Sequence, residues 1–185
     1  MDALDALQNR VSIAQLGEPA PDDATIETLL QAAIRAPDHG VLRPWRFIVL
    51  RGEDRNRLGD LLVAAKCERE PSLSEEERDK LRAKPLRAPL VLVAVAEVVE
   101  GHRVPVLEQI VATGAAVQNI MVAAHALGIG AMWRTGSLAS SRTVKQGLGF
   151  ADKDEIVGFI YLGTPCGSIK MVPADSPANY LRQLP

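Results

Sequence analysis

The sequence has few of the residues on which metal, thiol or histidine chemistry depends. Its 185 residues include two cysteines, Cys67 and Cys166, and three histidines. The cysteines stand far apart, without CxxC or mixed Cys/His spacing, so neither a zinc site nor a disulfide framework is expected. The chain also contains no GxxxxGK[ST] loop and no GxSxG segment, which argues against a P-loop and against a serine hydrolase. We therefore expect no metal and no catalytic nucleophile, and any chemistry would come from a bound organic cofactor.

The chain is nearly neutral, and its charge pattern argues against nucleic acid and membranes as partners. A formal net charge of −2 gives no long-range attraction to nucleic acid. The chain begins with the acidic residues Asp2 and Asp5 and lacks a basic-then-apolar leader, and charged or polar residues interrupt every long apolar run. We expect a cytoplasmic protein with no membrane partner, folded as one domain over residues 1–185.

Hydrophobic spacing predicts helices and strands in alternation. Asp2 and Asp22 or Asp23 are suitable N-caps, and Ser74 with Glu77 three residues later matches a capping box. This order predicts helices on both faces of a mixed sheet, with the first two strands at its centre. The expected helices are 2–8, 22–36, 54–66, 75–84, 106–127 and 142–148, and the expected strands are 45–50, 89–96, 131–134 and 156–162.

The helix expected over 106–127 is apolar on most sides, and Gly128 is a suitable stop for it. A domain of this size has difficulty covering such a helix alone, so a homodimer interface is expected to bury it. The segment 164–185 carries four prolines and is predicted to be an extended C-terminal arm that lies across a neighbouring subunit.

Two clusters combine an arginine with a hydroxyl side chain. Arg10 precedes Val11 and Ser12 near the start of the chain, and Arg134 stands between Trp133 and Thr135 much later. A guanidinium group binds phosphate through paired charge-assisted hydrogen bonds, to which a hydroxyl can add another. The clusters therefore suggest a phosphate site.

Simpler interpretations of these residues stay open. Arg10 could pair with Asp5 or Glu18 at the surface. The hydroxyl residues Ser12 and Thr135 could serve as caps or turn formers, as could His39 in its Pro-Asp-His-Gly context.

Five segments are informative when taken together: 9–12, 35–39, 43–47, 133–136 and 158–165. In this order and spacing they resemble the FMN-dependent nitroreductase family, and in particular its short branch. The resemblance implies a three-layer α+β sandwich and a homodimer with two FMN molecules in clefts between the subunits. It also implies ping-pong hydride transfer from NAD(P)H through FMN to a small-molecule electron acceptor such as a nitroaromatic, a quinone or an enone.

The resemblance also implies the residues that bind the cofactor. Matching residues place Arg10, Val11 and Ser12 at the phosphate and ribityl end of FMN, together with Trp133, Arg134 and Thr135. Arg35 and His39 match residues near the flavin, with His39 reaching across from the other subunit. Larger relatives carry a lysine near the flavin pyrimidine where this chain has Ala14, which makes Arg35 a candidate for stabilising negative charge at flavin N1 and O2. No side chain is expected to act as an obligatory acid or base.

Three other functions remain open at this stage. Relatives of the same fold carry out dehalogenation, flavin breakdown and dehydrogenation, because a fold does not fix a reaction. The chain could also be a flavin-binding module without catalysis, or an interaction protein whose arginines hold a different anion.

Overall fold

The computed structural model describes residues 1–184, which form six α-helices and five β-strands. The helices are α1 (Ala3–Asn9), α2 (Asp23–Ala33), α3 (Glu53–Arg69), α4 (Glu75–Arg82), α5 (Val106–Ala126) and α6 (Arg142–Gly147). The strands are β1 (Leu16–Gly17), β2 (Trp45–Arg51), β3 (Leu90–Ala96), β4 (Gly130–Arg134) and β5 (Glu155–Pro165). Every helix and strand expected from the hydrophobic spacing is present, and the two-residue strand β1 is an addition.

The sheet is antiparallel at each described pairing, whereas the sequence suggested a mixed sheet. Strand β3 lies between β2 and β5, and β5 also pairs with β1 and β4. The mixed sheet was expected because a helix between two strands often connects parallel neighbours. That rule does not hold for β2 and β3. Here two helices, α3 and α4, lead the chain away from the sheet and back. The end of β2 at Arg51 therefore pairs with the start of β3 at Leu90.

Strand β3 is central and β2 is an edge strand. All seven side chains of β3 are buried, as the uninterrupted apolar run predicts. Strand β2 pairs only with β3 and leaves Arg46 exposed. The expectation that both strands are central was therefore wrong for β2, whose charged residues at positions 46 and 51 are typical of an edge.

Alternation along β3 divides the core into two halves, one on each face of the sheet. Leu90, Leu92 and Ala94 pack against α2 and α5. Val91 and Val93 point to the opposite face and pack against α3 and α6. The fold is thus a three-layer α+β sandwich, as expected, and a ligand between helices and sheet could lie on either face.

Helix α5 is buried along one side and exposed along the other. Val117 and Ile120 are fully buried against the sheet, while Leu107 and Val111 are exposed to 69% and 61%. By length and composition alone this helix could cross a membrane, and its buried side packs in the core against the sheet.

The ends of these elements follow the expected local chemistry. Asp2 caps α1 by accepting from the main-chain N–H of Leu4 at 2.8 Å, and Ser74 and Glu77 form the expected capping box of α4. Gly128 after α5 has a φ of 74°, the left-handed conformation expected of a glycine stop. Strand β5 continues to Pro165, so the exposed C-terminal segment begins at Cys166 rather than at 164.

Candidate functional site

The first arginine cluster leaves α1 and runs beside β4. The main-chain N–H of Ile13 donates to the carbonyl oxygen of Ala131 at 2.9 Å, which fixes residues 10–13 against the strand that carries the second cluster. Arg10 is half-buried, and its Nη1 atom is fully buried without a hydrogen-bond partner. A buried guanidinium nitrogen without an acceptor is costly, so an added anion would stabilise it.

Alternation along β4 sends the side chains of the second cluster to opposite faces of the sheet. Trp133 points toward α5, and its indole Nε1 donates to the carbonyl oxygen of Val157 at 3.1 Å. Arg134 points toward α3, where its guanidinium lies over the ring of Tyr161, 5.5 Å from the ring centroid. The Nε atom of Arg134 is also buried without a hydrogen-bond partner. Trp133 is therefore a core residue, while Arg134 is available to a ligand.

A cavity of about 560 Å³ opens between the end of β4, helix α3 and the segment that joins α4 to β3. We call this the β4 cavity. It contains the whole second cluster and has an apolar wall. Its basic side chains are Lys66, Lys84, Arg87 and Arg134, and its larger apolar and aromatic side chains are Leu62, Leu81, Met132, Leu138, Phe159 and Tyr161.

Tyr161 connects two of these basic groups. Burial raises the pKa of its phenol, and the nearby positive charges of Arg134 and Arg87 act against that rise. Both guanidinium groups are thus close enough to Tyr161 to influence its hydroxyl.

Ser12 lines a different and smaller cavity. This second cavity has a volume of about 220 Å³ and includes Gln15, Ser168 and Lys170. The structure thus joins the main chains of the two clusters but gives Ser12 and Arg134 separate cavities. Val11 is half-buried and contributes to neither cavity. Convergence of Arg10 and Arg134 on one phosphate stays a prediction.

Arg35 and His39 lie on a third part of the surface. Arg35 follows α2 and lines a cavity of about 230 Å³ with Asp38, Arg43 and Trp45. His39 begins a short 3₁₀ turn, and its Nδ1 atom is 2.5 Å from Oε2 of Glu108 on α5. Within the single chain, neither residue lines the β4 cavity.

The loop that presents His39 has an unusual backbone. Gly40, Val41 and Arg43 have φ values of 76°, 55° and 50°. A positive φ is rare for a β-branched residue and costs about 1–3 kcal/mol. The carboxylate of Asp38 accepts from the main-chain N–H of Arg43 at 2.6 Å and holds the loop closed. Strain of this kind concentrates at functional sites, which agrees with the role expected of His39.

The sequence did not reveal the residues on the far wall of the β4 cavity. Lys84 ends the charged stretch 75–84, which the sequence pattern predicts to be a solvated helix face. Arg87 lies three residues after this stretch. The only available signal was the density of basic residues just before β3, which does not show the direction of the side chains. Their position beside β4 depends on the path of the α3–α4 connection across the sheet.

Comparison with known proteins identifies the family. The model of the nitroreductase family matches residues 7–164, and the chain belongs to this family. YdjA of Escherichia coli strain K12, which is named as an NAD(P)H nitroreductase, is 43% identical over 169 residues, which are 89% of each chain. A Haemophilus influenzae protein also named as an NAD(P)H nitroreductase is 36% identical over 165 residues, again 89% of each chain.

Solved structures agree with this assignment. A nitroreductase-like family protein from Bacillus cereus superimposes with a TM-score of 0.84 at 23% identity and covers 100% of this chain and 96% of its own. A Desulfovibrio desulfuricans protein, described as a nitroreductase in complex with FMN, superimposes with a TM-score of 0.73 at 26% identity, with coverage of 100% and 98%. The nitroreductase-like fold expected from the sequence is confirmed.

Proposed function

We propose that this protein is an FMN-dependent NAD(P)H oxidoreductase that reduces a small conjugated acceptor, such as a nitroaromatic or a quinone. The observation that carries the proposal is the family match over residues 7–164. Relatives named as NAD(P)H nitroreductases and a family structure in complex with FMN support the choice of electron donor and cofactor.

The residues present fit the phosphate-bearing end of FMN. Arg10 and Arg134 each have a buried guanidinium nitrogen without a partner, which phosphate or another cofactor oxygen would satisfy. Ser12 and Thr135 offer hydroxyl groups to the same ligand, and Val11 and Trp133 offer main-chain groups. Arg35 and His39 complete the proposed set near the flavin, with His39 reaching across from the partner subunit.

FMN, when bound, supplies hydride transfer between the nicotinamide donor and the acceptor. The side chains bind and orient the reactants and keep water away from them. The apolar wall of the β4 cavity, including Leu62 and Met132, suits this role because conjugated rings bind well to apolar and aromatic surfaces. No side chain is assigned as a covalent catalyst or as an obligatory acid or base.

The proposed enzyme is a cytoplasmic homodimer. The exposed apolar side of α5, which includes Leu107 and Val111, is the proposed contact surface. Burying it against a second copy would remove the two most exposed large apolar side chains of this helix from water. The exposed segment 166–184 would lie across the partner.

An absorption spectrum tests the proposal directly. The purified protein is expected to be yellow and to bleach when NADPH or NADH is added without oxygen. Oxidation by a nitroaromatic and by a quinone should then restore the colour. A yellow protein that neither donor bleaches would be a flavin-binding module, and a colourless protein that does not take up added FMN would disprove the assignment of the cofactor. Bleaching without turnover of either acceptor would indicate other FMN chemistry on this fold.

A further inference from the structure

The β4 cavity carries more positive charge than its own chain neutralises. We propose that this cavity binds the electron acceptor and selects acceptors in which a negatively charged group, such as a carboxylate, is attached to a conjugated ring. The inference rests on the proposed oxidoreductase function and adds to it the chemical class of the acceptor.

The first argument concerns the ionisable residues of the cavity. Its lining includes four basic side chains and no acidic ones. Lys66 is neutralised by Glu70, whose Oε1 is 2.5 Å from the lysine Nζ. For Lys84, Arg87 and Arg134, no carboxylate in residues 1–184 lies within ion-pair distance. Uncompensated cations that surround one concave site attract and hold anions.

The second argument concerns the arrangement of these cations. Arg134 approaches from β4 and lies over the ring of Tyr161. Arg87 lines the cavity from the segment between α4 and β3. Lys84 and Arg87 line the cavity from a different element than Arg134, so they could hold the acceptor's anion while Arg134 binds the cofactor.

The third argument concerns the shape and polarity of the remaining wall. Leu62, Leu81, Met132 and Phe159 form an apolar surface beside the basic groups. The volume of about 560 Å³ lies within the range of small-molecule sites. An apolar surface next to a cationic edge matches a ligand with a flat apolar body and one anionic end.

The fourth argument separates the acceptor from the cofactor phosphate. The separate cavity of Ser12 has its own cation, Lys170, and is lined by the segment that follows Arg10. A phosphate therefore has a basic site that does not involve Lys84 or Arg87. The cations on the α4–β3 side remain available for a second anion, which we assign to the acceptor.

Two nearly isosteric substrates test the inference. 4-Nitrobenzoate carries a carboxylate, and 4-nitrobenzamide replaces it with a neutral amide. The wild-type holoenzyme is expected to show a kcat/KM at least about tenfold higher for the benzoate, since a charge-assisted hydrogen bond is stronger than one between neutral groups. Arg87→Met should remove most of this preference, chiefly through KM, and Lys84→Met should reduce it.

A matched variant and a binding measurement complete the test. Arg57→Met removes the same charge from the exposed surface of α3, away from the cavity, and should keep the preference. Titration calorimetry of the oxidised holoenzyme with benzoate, which is not reduced, should give a Kd about tenfold weaker in Arg87→Met.

The possible outcomes separate this inference from the proposed function. Reduction of both substrates without a preference, or a preference that Arg87→Met retains, would overturn the inference and leave the oxidoreductase function intact. A variant that loses FMN, or that changes only the ratio of NADPH to NADH use, would assign the cations to the cofactor or donor and also overturn it. Failure to reduce either substrate or a quinone, with FMN bound, would instead contradict the proposed function.

Discussion

His39 and Glu108 are joined across 69 positions of sequence by a contact of 2.5 Å between Nδ1 and Oε2. The contact connects the strained loop after α2 with the first turn of α5. The two side chains are 61% and 47% exposed, so the pair contributes little to stability, on the order of 1 kcal/mol or less. Its effect is to hold the imidazole in one orientation, with Nε2 directed away from Glu108 and available to a ligand.

Glu108→Gln should therefore affect ligand binding more than folding. We expect the Kd of the apoprotein for FMN to rise about threefold to tenfold, because an oriented histidine loses less entropy on binding. The free energy of unfolding should change by less than about 1 kcal/mol. Fluorescence titration with FMN and urea denaturation measure the two quantities. Glu27→Gln, at an exposed position of α2, is the matched control, and an unchanged Kd in Glu108→Gln would show that Glu108 does not position His39.

Gly158→Ala should destabilise the protein through Trp133. A Cβ atom at position 158 would clash with Nε1 of the Trp133 indole and displace it from the carbonyl oxygen of Val157. Overpacking of this kind costs about 1–3 kcal/mol, which urea denaturation would detect. The double variant Gly158→Ala/Trp133→Ala should lose less stability than the sum of the single changes. Additive losses would show that the clash is relieved elsewhere.

The phenol of Tyr161 should titrate above the ordinary range for tyrosine. Burial raises its pKa in the folded state, so its contribution to stability is complete below the unfolded pKa of about 10 and is lost as the pH rises through the folded pKa. Tyr180→Phe leaves Tyr161 as the only tyrosine of the chain. Absorbance near 295 nm should then give a midpoint above 10.0 in the native protein and a normal one in urea. A native midpoint at or below 10.0 would mean that the two arginines outweigh burial.

Val111→Asp should weaken the proposed homodimer. Val111 is 61% exposed on the outer side of α5, where a dimer would bury it, and an unpaired carboxylate at an apolar interface is strongly unfavourable. Light scattering after size exclusion should show the mass shift from twice 19.9 kDa toward 19.9 kDa. Leu86→Asp, at a position 45% exposed outside α5, should remain dimeric. A wild-type protein already at 19.9 kDa would contradict the dimer.

Local patterns predicted most of the fold because the physics behind them is local. Asp2, Ser74 and Gly128 mark helix ends through hydrogen bonds and backbone preferences within a few residues. Strand direction is different. The antiparallel pairing of Arg51 with Leu90 depends on how two helices return the chain to the sheet, and no periodicity within either strand encodes it.

In the candidate site too, local sequence indicated some residues, while the positions of others depend on the fold. Arg134 was identified because an arginine beside a hydroxyl at the end of a strand suggests an anion site. Its partner across the cavity, Arg87, is distant in sequence and lies in a segment whose charges resemble an ordinary solvated surface. The strained backbone at Val41 was equally hidden, because valine does not favour a positive φ and only the closed loop imposes it.

The chain leaves the sheet at the end of β2 and returns to it beside that point, at the start of β3, so the connection that forms one wall of the β4 cavity can be exchanged as a unit. Since β2 ends opposite the start of β3, the excursion through α3 and α4 could be lengthened, shortened or given other charges without moving the register of any strand. Lys84 and Arg87 belong to this excursion, whereas Arg134 belongs to the sheet itself. Grafting a different excursion onto the same five strands would thus be a direct route to re-engineering the ligand preference while the framework beneath it stays fixed.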